Sequence, residues 1–210
     1  MSLICQKLHE LAGDCLRHQF PYDGGAIPSN GLYLLFEEGE LGHSSNRIVR
    51  IGTHTGQGRL SSRLREHFLV ENKDRSIFRK NIGRALLAKD RDPFLSDWEL
   101  DLTTKKAREL HSDRIDRQRQ DEVERRVTSY IQKAFSFVVL PIQEKQERLR
   151  MESRIISTVS LCGDCKASSG WLGQYSPKDQ IRQSGLWLVQ GLYKEPLSND
   201  DMEHLREIAS

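Results

Sequence analysis

Arg63 and His67 lie four residues apart, in a stretch where Leu60, Leu64 and Phe68 are also spaced by four. On an α-helix that spacing stacks side chains along one face. The apolar row marks the buried side, and the guanidinium and imidazole project together from a row about 100° away. A permanent cation beside a titratable ring can hold an anion and move a proton; the bland alternative is a solvated basic helix face. A second group with chemical potential is Cys162-x-x-Cys165, which supplies half of a zinc site and requires two further ligands. Cys5 and Cys15 are ten residues apart, which is not the spacing of a second pair, so the expectation is two partly buried loop cysteines. A third signal is charge. Between Arg47 and Lys133 there are 21 Lys or Arg against 14 Asp or Glu, although the whole chain carries only +2. A basic excess confined to one region fits a polyanion.

The elements that must position these groups read as follows. Residues 2–18 form an N-terminal amphipathic helix bearing Leu3, Ile4, Leu8, Leu11, Cys15 and Leu16, ended by Pro21 and Gly24-Gly25. Leu32–Phe36 and Arg47–Ile51 are strands, with residues 37–46 a polar hairpin loop. Gly52, Gly56 and Gly58 punctuate a turn before the helix of Arg63 and His67. Helices follow over 76–89 and 121–134, a strand over 135–140 stopped by Pro141, a long helix over 143–159, a strand over 186–190, and a last helix from about Ser198 with Asp201 completing a capping-box start. Residues 100–120 carry little pattern, and there is no internal repeat.

At 210 residues the chain suits one domain, and 37% hydrophobic residues provide for a core despite 30% charged ones, which excludes wholesale disorder. No run approaches the ~18 apolar residues of a membrane span. Four cysteines without an export signal point to reduced thiols and a soluble, cytoplasmic protein with no membrane partner.

Read in order, the chain offers Gly31-Leu32-Tyr33 heading one strand, Arg50-Ile51-Gly52 ending the next, Arg63 and His67 on the following helix, and Glu152 within a later one. This succession resembles the GIY-YIG nuclease family from about Gly31 to Val159. The resemblance implies an α/β fold: a small, mainly antiparallel central sheet flanked by helices, forming a single domain over 1–210 with a mainly helical insertion at about 70–134. It also implies a metal-dependent DNA endonuclease. Two departures stand out. Arg50 occupies the place of the second motif's tyrosine, with Thr53 where some relatives carry lysine, and residues 160–180 lack the asparagine that often follows the glutamate, for which Asp164, Ser168 or Ser169 could substitute. The alternative these departures support is a nucleic-acid-binding module on the same scaffold with impaired catalysis.

Carried over residue by residue, the resemblance makes Tyr33 the group that faces the cleft and orients or deprotonates water, with Arg50 or His67 supplying the positive charge a phenolate needs. Arg63 holds a phosphate oxygen, His67 hydrogen-bonds phosphate or relays the Tyr33 proton, and Glu152 anchors one Mg2+ or Mn2+. Arg59, Arg65, Arg75, Arg79, Lys80 and Arg84 lie on helices beside this cleft and are assigned to phosphates, which they position without reading sequence. The mixed-charge run from Arg114 to Arg126 reads instead as a salt-bridged helix. Trp171 and Trp187 are read as closing the core over the helix of Glu152.

Overall fold

The computed structural model describes residues 2–111 and 113–209. At its centre four antiparallel strands run in the order β1–β4–β2–β3: β1 (His18–Gln19), β2 (Leu32–Gly42), β3 (Ser45–Gly52) and β4 (Phe135–Leu140). Side chains alternate along β2, so Tyr33 and Leu35 face one core while Leu32, Leu34 and Phe36 face a second. The Tyr33 side is covered by α2 (Leu60–Phe68), α3 (Ile77–Asp90) and α6 (Arg117–Ala134). The opposite side is covered by α1 (Ser2–Asp14), α7 (Lys145–Ser160) and α9 (Asn199–Ala209). Three short helices, α4 (Leu95–Trp98), α5 (Lys105–His111) and α8 (Asp179–Ser184), complete the α-helical set among the described residues. The fold is thus the helix-flanked antiparallel α/β arrangement the sequence suggested.

Several local readings need correction. Helix α1 stops at Asp14 rather than residue 18, because His18 and Gln19 pair with Phe137 and Ser136 to cover the free edge of β4. Residues 37–46 are not a loop. Both strands continue into a two-residue turn in which His43 and Ser44 adopt φ of 51° and 60°, the left-handed geometry of a tight hairpin. Their polarity misleads because Glu37 and Glu40 are buried acceptors. Glu37 takes the hydroxyl of Tyr130 and the indole N–H groups of Trp171 (2.7 Å) and Trp187 (2.8 Å). Glu40 is paired with Arg47 at 2.5 Å. The two tryptophans therefore close the Tyr33 core rather than cover α7.

The strand expected over 186–190 is absent. Trp187 N–H donates to the Val49 carbonyl (2.8 Å), but its own carbonyl is taken by the Arg50 guanidinium (2.5 Å), so no ladder continues. The last helix starts as read: Ser198 Oγ accepts from Asp201 N–H (3.1 Å) while the Asp201 carboxylate accepts from Ser198 N–H (2.9 Å).

The segment 70–134 overturns part of the nucleic-acid assignment. Arg79 is fully buried, gripping Glu124 of α6 through Nε (3.2 Å) and Nη2 (2.7 Å) and the His67 carbonyl (3.1 Å). Lys80 is buried against Asp74 and the Leu100 carbonyl, and Arg84 is buried in a fork with Glu99 and a bond to Asn81. These three cations are internal cross-links of the helical segment and present no face to a phosphate.

Candidate active site

The two motif glycines are dictated by close approach. Gly52 lies directly across from Tyr33 in the β2–β3 register, and a Cβ there would sit 2.2 Å from the phenol oxygen and 2.4 Å from Cζ. A Cβ on Gly31 would fall 2.5 Å from the Leu140 carbonyl. The Tyr33 ring therefore lies across the end of β3, where its hydroxyl meets His67 Nε2 at 2.7 Å. Burial of Leu60, Leu64 and Phe68 turns α2 so that His67 faces inward. His67 Nδ1 is 2.7 Å from Ser76 Oγ, which also caps α3 by accepting from Arg79 N–H. Burial first, then the positive charges of Arg63, Arg50 and Arg79, push the His67 pKa well below its usual value, so the ring is neutral at pH 7. With the ring neutral, one nitrogen donates and the other accepts, so His67 links the Tyr33 and Ser76 hydroxyls in one chain.

Two guanidiniums flank the phenol. Arg63, one turn before His67, is partly exposed and held by Glu66 (2.8 Å) and the Arg75 carbonyl (2.9 Å). Burial opposes its charge, but Tyr33 and Glu66 more than offset that, and its pKa is raised. Arg50 is buried, with Cζ 5.1 Å from the Phe78 ring centre. Burial lowers its pKa, while Tyr33 and Glu152 act to keep it charged. Glu152 on α7 completes the group. Burial raises its carboxyl pKa against the pull of Arg50, the Thr53 N–H and Arg63.

Two clefts open beside these residues. One, of about 630 Å3, is lined by Arg59, Arg63, Glu66 and Arg75. The other, of about 640 Å3, is lined by Arg50, Asn81, Glu152, Trp187 and Lys194. Thr53 lines the first cleft, and its backbone N–H favours the ionised form of Glu152 in the second. Tyr33 and His67 line neither; they are 1% and 0% exposed, so the expectation that Tyr33 faces the cleft is corrected. The buried phenol is instead coupled to the charges of Arg50 and Arg63. Arg59 and Arg65 are exposed.

Two buried donors on residues lining the Glu152 cleft, Arg50 Nε and Asn81 Nδ2, have no hydrogen-bond partner. Unpaired buried donors cost about 1–3 kcal/mol each, which is recovered when an anion accepts from them. Asn81 comes from α3, and the motif order points neither to it nor to Ser76, which the sequence places inside the helix over 76–89 and the structure makes its N-cap. The proposed substitutes for the missing asparagine lie elsewhere: Asp164 bonds Ser2, and Ser168 bonds Glu40.

One carboxylate among basic and amide groups fits a Mg2+ or Mn2+ ion completed by water and a substrate phosphate, since Mg2+ commonly takes one or two protein carboxylates. A family model described as GIY-YIG domain matches residues 4–209, nearly the whole described chain. Comparison with curated proteins gave no match, nor did comparison with solved structures.

Proposed function

Because the chain belongs to the GIY-YIG domain family, a nuclease family with nucleic-acid substrates, we propose that it is a metal-dependent DNA endonuclease hydrolysing phosphodiester bonds at the cleft lined by Arg50 and Glu152. The observation that carries this reading is the pair of unpaired donors, Arg50 Nε and Asn81 Nδ2, on the walls that also hold Glu152. A phosphate seated there accepts from both, with Arg63 reaching it from the other cleft. Glu152 holds the divalent ion, which when bound supplies a Lewis acid to the phosphate oxygens.

The remaining steps belong to the chain. Neutral His67 holds the Tyr33 hydroxyl at Nε2, so that the phenol orients the attacking water, and Arg50 and Arg63 stabilise the negative charge that develops beside it. Because Tyr33 is covered, the substrate must open a path for water to reach it. Arg59 and Arg65 contact flanking phosphates. Four free cysteines suit a reducing compartment such as the cytoplasm.

Nicking of supercoiled plasmid in Mg2+ tests the reading. Glu152→Ala and Tyr33→Phe should abolish nicking with DNA binding retained, and Arg63→Ala should slow it by about 10²–10³-fold. Undiminished nicking by Glu152→Ala refutes it. The burial of Tyr33 favours one second reading, a binding module without cleavage, which is upheld if the wild-type protein binds DNA tightly and never nicks it in Mg2+ or Mn2+.

A further inference from the structure

On the sheet face opposite Tyr33, a cluster of soft ligands stands apart from the nuclease site. Cys5, His9, His43 and Cys165 each offer a ligand atom, and these atoms all lie within 4.8 Å of one another. They come from three stretches remote in sequence: the first turns of α1, the tight β2–β3 turn, and the loop after α7. We propose that these four residues bind a structural zinc ion that staples those segments together.

The geometry supports a tetrahedral centre. Zn–S bonds of ~2.3 Å and Zn–N bonds of ~2.0–2.1 Å imply ligand–ligand edges of roughly 3.3–3.8 Å. Cys5 Sγ and Cys165 Sγ are 3.5 Å apart, and Cys165 Sγ is 3.7 Å from His9 Nε2. Cys5 and His9 are one helical turn apart, which puts both on the same face of α1. His9 Nδ1–H donates to the Cys5 carbonyl at 2.8 Å, which fixes the tautomer and leaves Nε2 as the coordinating atom, the usual outer support of a zinc-bound histidine. The Ile48 N–H approaches the same nitrogen at 3.2 Å, a contact the metal bond displaces.

His43 owes its position to the left-handed turn, φ 51°, and its ring centre is 5.1 Å from that of His9. A third thiol, Cys162 Sγ, stands 3.3 Å from His43 Nε2 at the rim. Cys5, His9 and Cys165 are 0%, 2% and 2% exposed. Four protein ligands leave no open position, so the centre is structural rather than catalytic. Zinc is favoured over Mg2+ because thiolate and imidazole are soft donors. The S–S separation exceeds the ~2.05 Å of a disulfide, and both cysteines are free.

The test is metal analysis of the full chain, purified without chelator. Elemental analysis and native mass spectrometry should find about one zinc per chain, released stoichiometrically by a thiol-blocking mercurial, and Co2+ exchanged into the wild-type protein should give the visible bands of a tetrahedral thiolate complex. Cys165→Ser and His43→Ala should lose at least ten-fold in bound zinc, while Cys15→Ser, whose thiol bonds the Leu11 carbonyl, should keep it. If Cys165→Ser does not fold, the wild-type zinc count and Co2+ spectrum still decide. Wild-type protein free of zinc and giving no Co2+ bands, or a Cys5–Cys165 disulfide found in the native chain, overturns the proposal.

Discussion

Replacing Gly52 with alanine should disrupt the candidate site through one identifiable clash. The new methyl would lie 2.2 Å from the Tyr33 oxygen, 2.4 Å from Cζ and 2.9 Å from Cε2. The ring cannot yield freely, because His67 holds its hydroxyl and Tyr33 is packed into the core on α2 and α3. Overpacking of this kind costs about 1–3 kcal/mol. Displacing the ring also forfeits the bond to His67, a further ~0.5–1.5 kcal/mol. Gly52→Ala should thus lose about 2–4 kcal/mol, or roughly 5–15 °C in Tm for a chain of this size. Gly52 does not have a positive φ, so backbone strain adds nothing. A double-mutant cycle isolates the cause. Tyr33→Leu removes the three atoms that the methyl would strike, and in that background Gly52→Ala should be neutral or slightly stabilising, through the lower entropy of the unfolded chain. The assay is urea unfolding of all four proteins followed by circular dichroism. An equal penalty for Gly52→Ala in both backgrounds would refute the reasoning, since it would mean that something other than the phenol excludes a side chain there.

The other predictions concern charge. Glu124→Ala strands Arg79, which is fully buried, and should cost about 3–5 kcal/mol in urea unfolding, whereas replacing both partners by apolar residues should restore much of the loss. His67 has a depressed pKa, so the unfolded chain binds its proton more readily; the stability this contributes is present above about pH 6.5 and is lost as pH falls toward the folded value. His67→Gln should flatten that part of the pH–stability curve. Burial opposes the ionisation of Asp201, but Ser198, Arg150 and Arg154 outweigh it and depress its pKa, so its contribution is present above about pH 4 and declines below; Asp201→Asn should remove that decline. In DNA-binding titrations, Arg59→Ala and Arg65→Ala should each lower the salt slope by about 0.9, while Arg84→Ala should leave the slope unchanged and lower Tm instead. Unchanged slopes for Arg59→Ala and Arg65→Ala would remove both residues from the DNA surface.

What sequence could not supply was partnership across distance. Periodicity placed α2, α3, α7 and β4 because each depends on residues within one or two turns of itself. Arg79 and Lys80 read as a basic helix face for the same local reason, yet the carboxylate that buries Arg79 lies 45 residues further on, and nothing in a helical repeat marks it. Glu37 and Glu40 read as loop because an acid in a strand is unfavourable alone; two indoles, a phenol and an arginine supplied from elsewhere reverse that balance. The candidate site divides the same way. Tyr33, Arg50, Arg63, His67 and Glu152 were legible from motif order, and the structure brings them together, but their arrangement was not, because the Gly52 gap that lets the phenol lie flat also buries it. Asn81 lies on α3 and Ser76 caps it, within the segment that reads as an insertion, where motif order points to neither. That helix supplies an amide to one cleft and a hydroxyl behind His67, so the segment is part of the site's construction. By locking α3 to α6 through Arg79 and Glu124, its buried ion pairs hold Ser76 at the start of α3, where the hydroxyl meets His67 Nδ1.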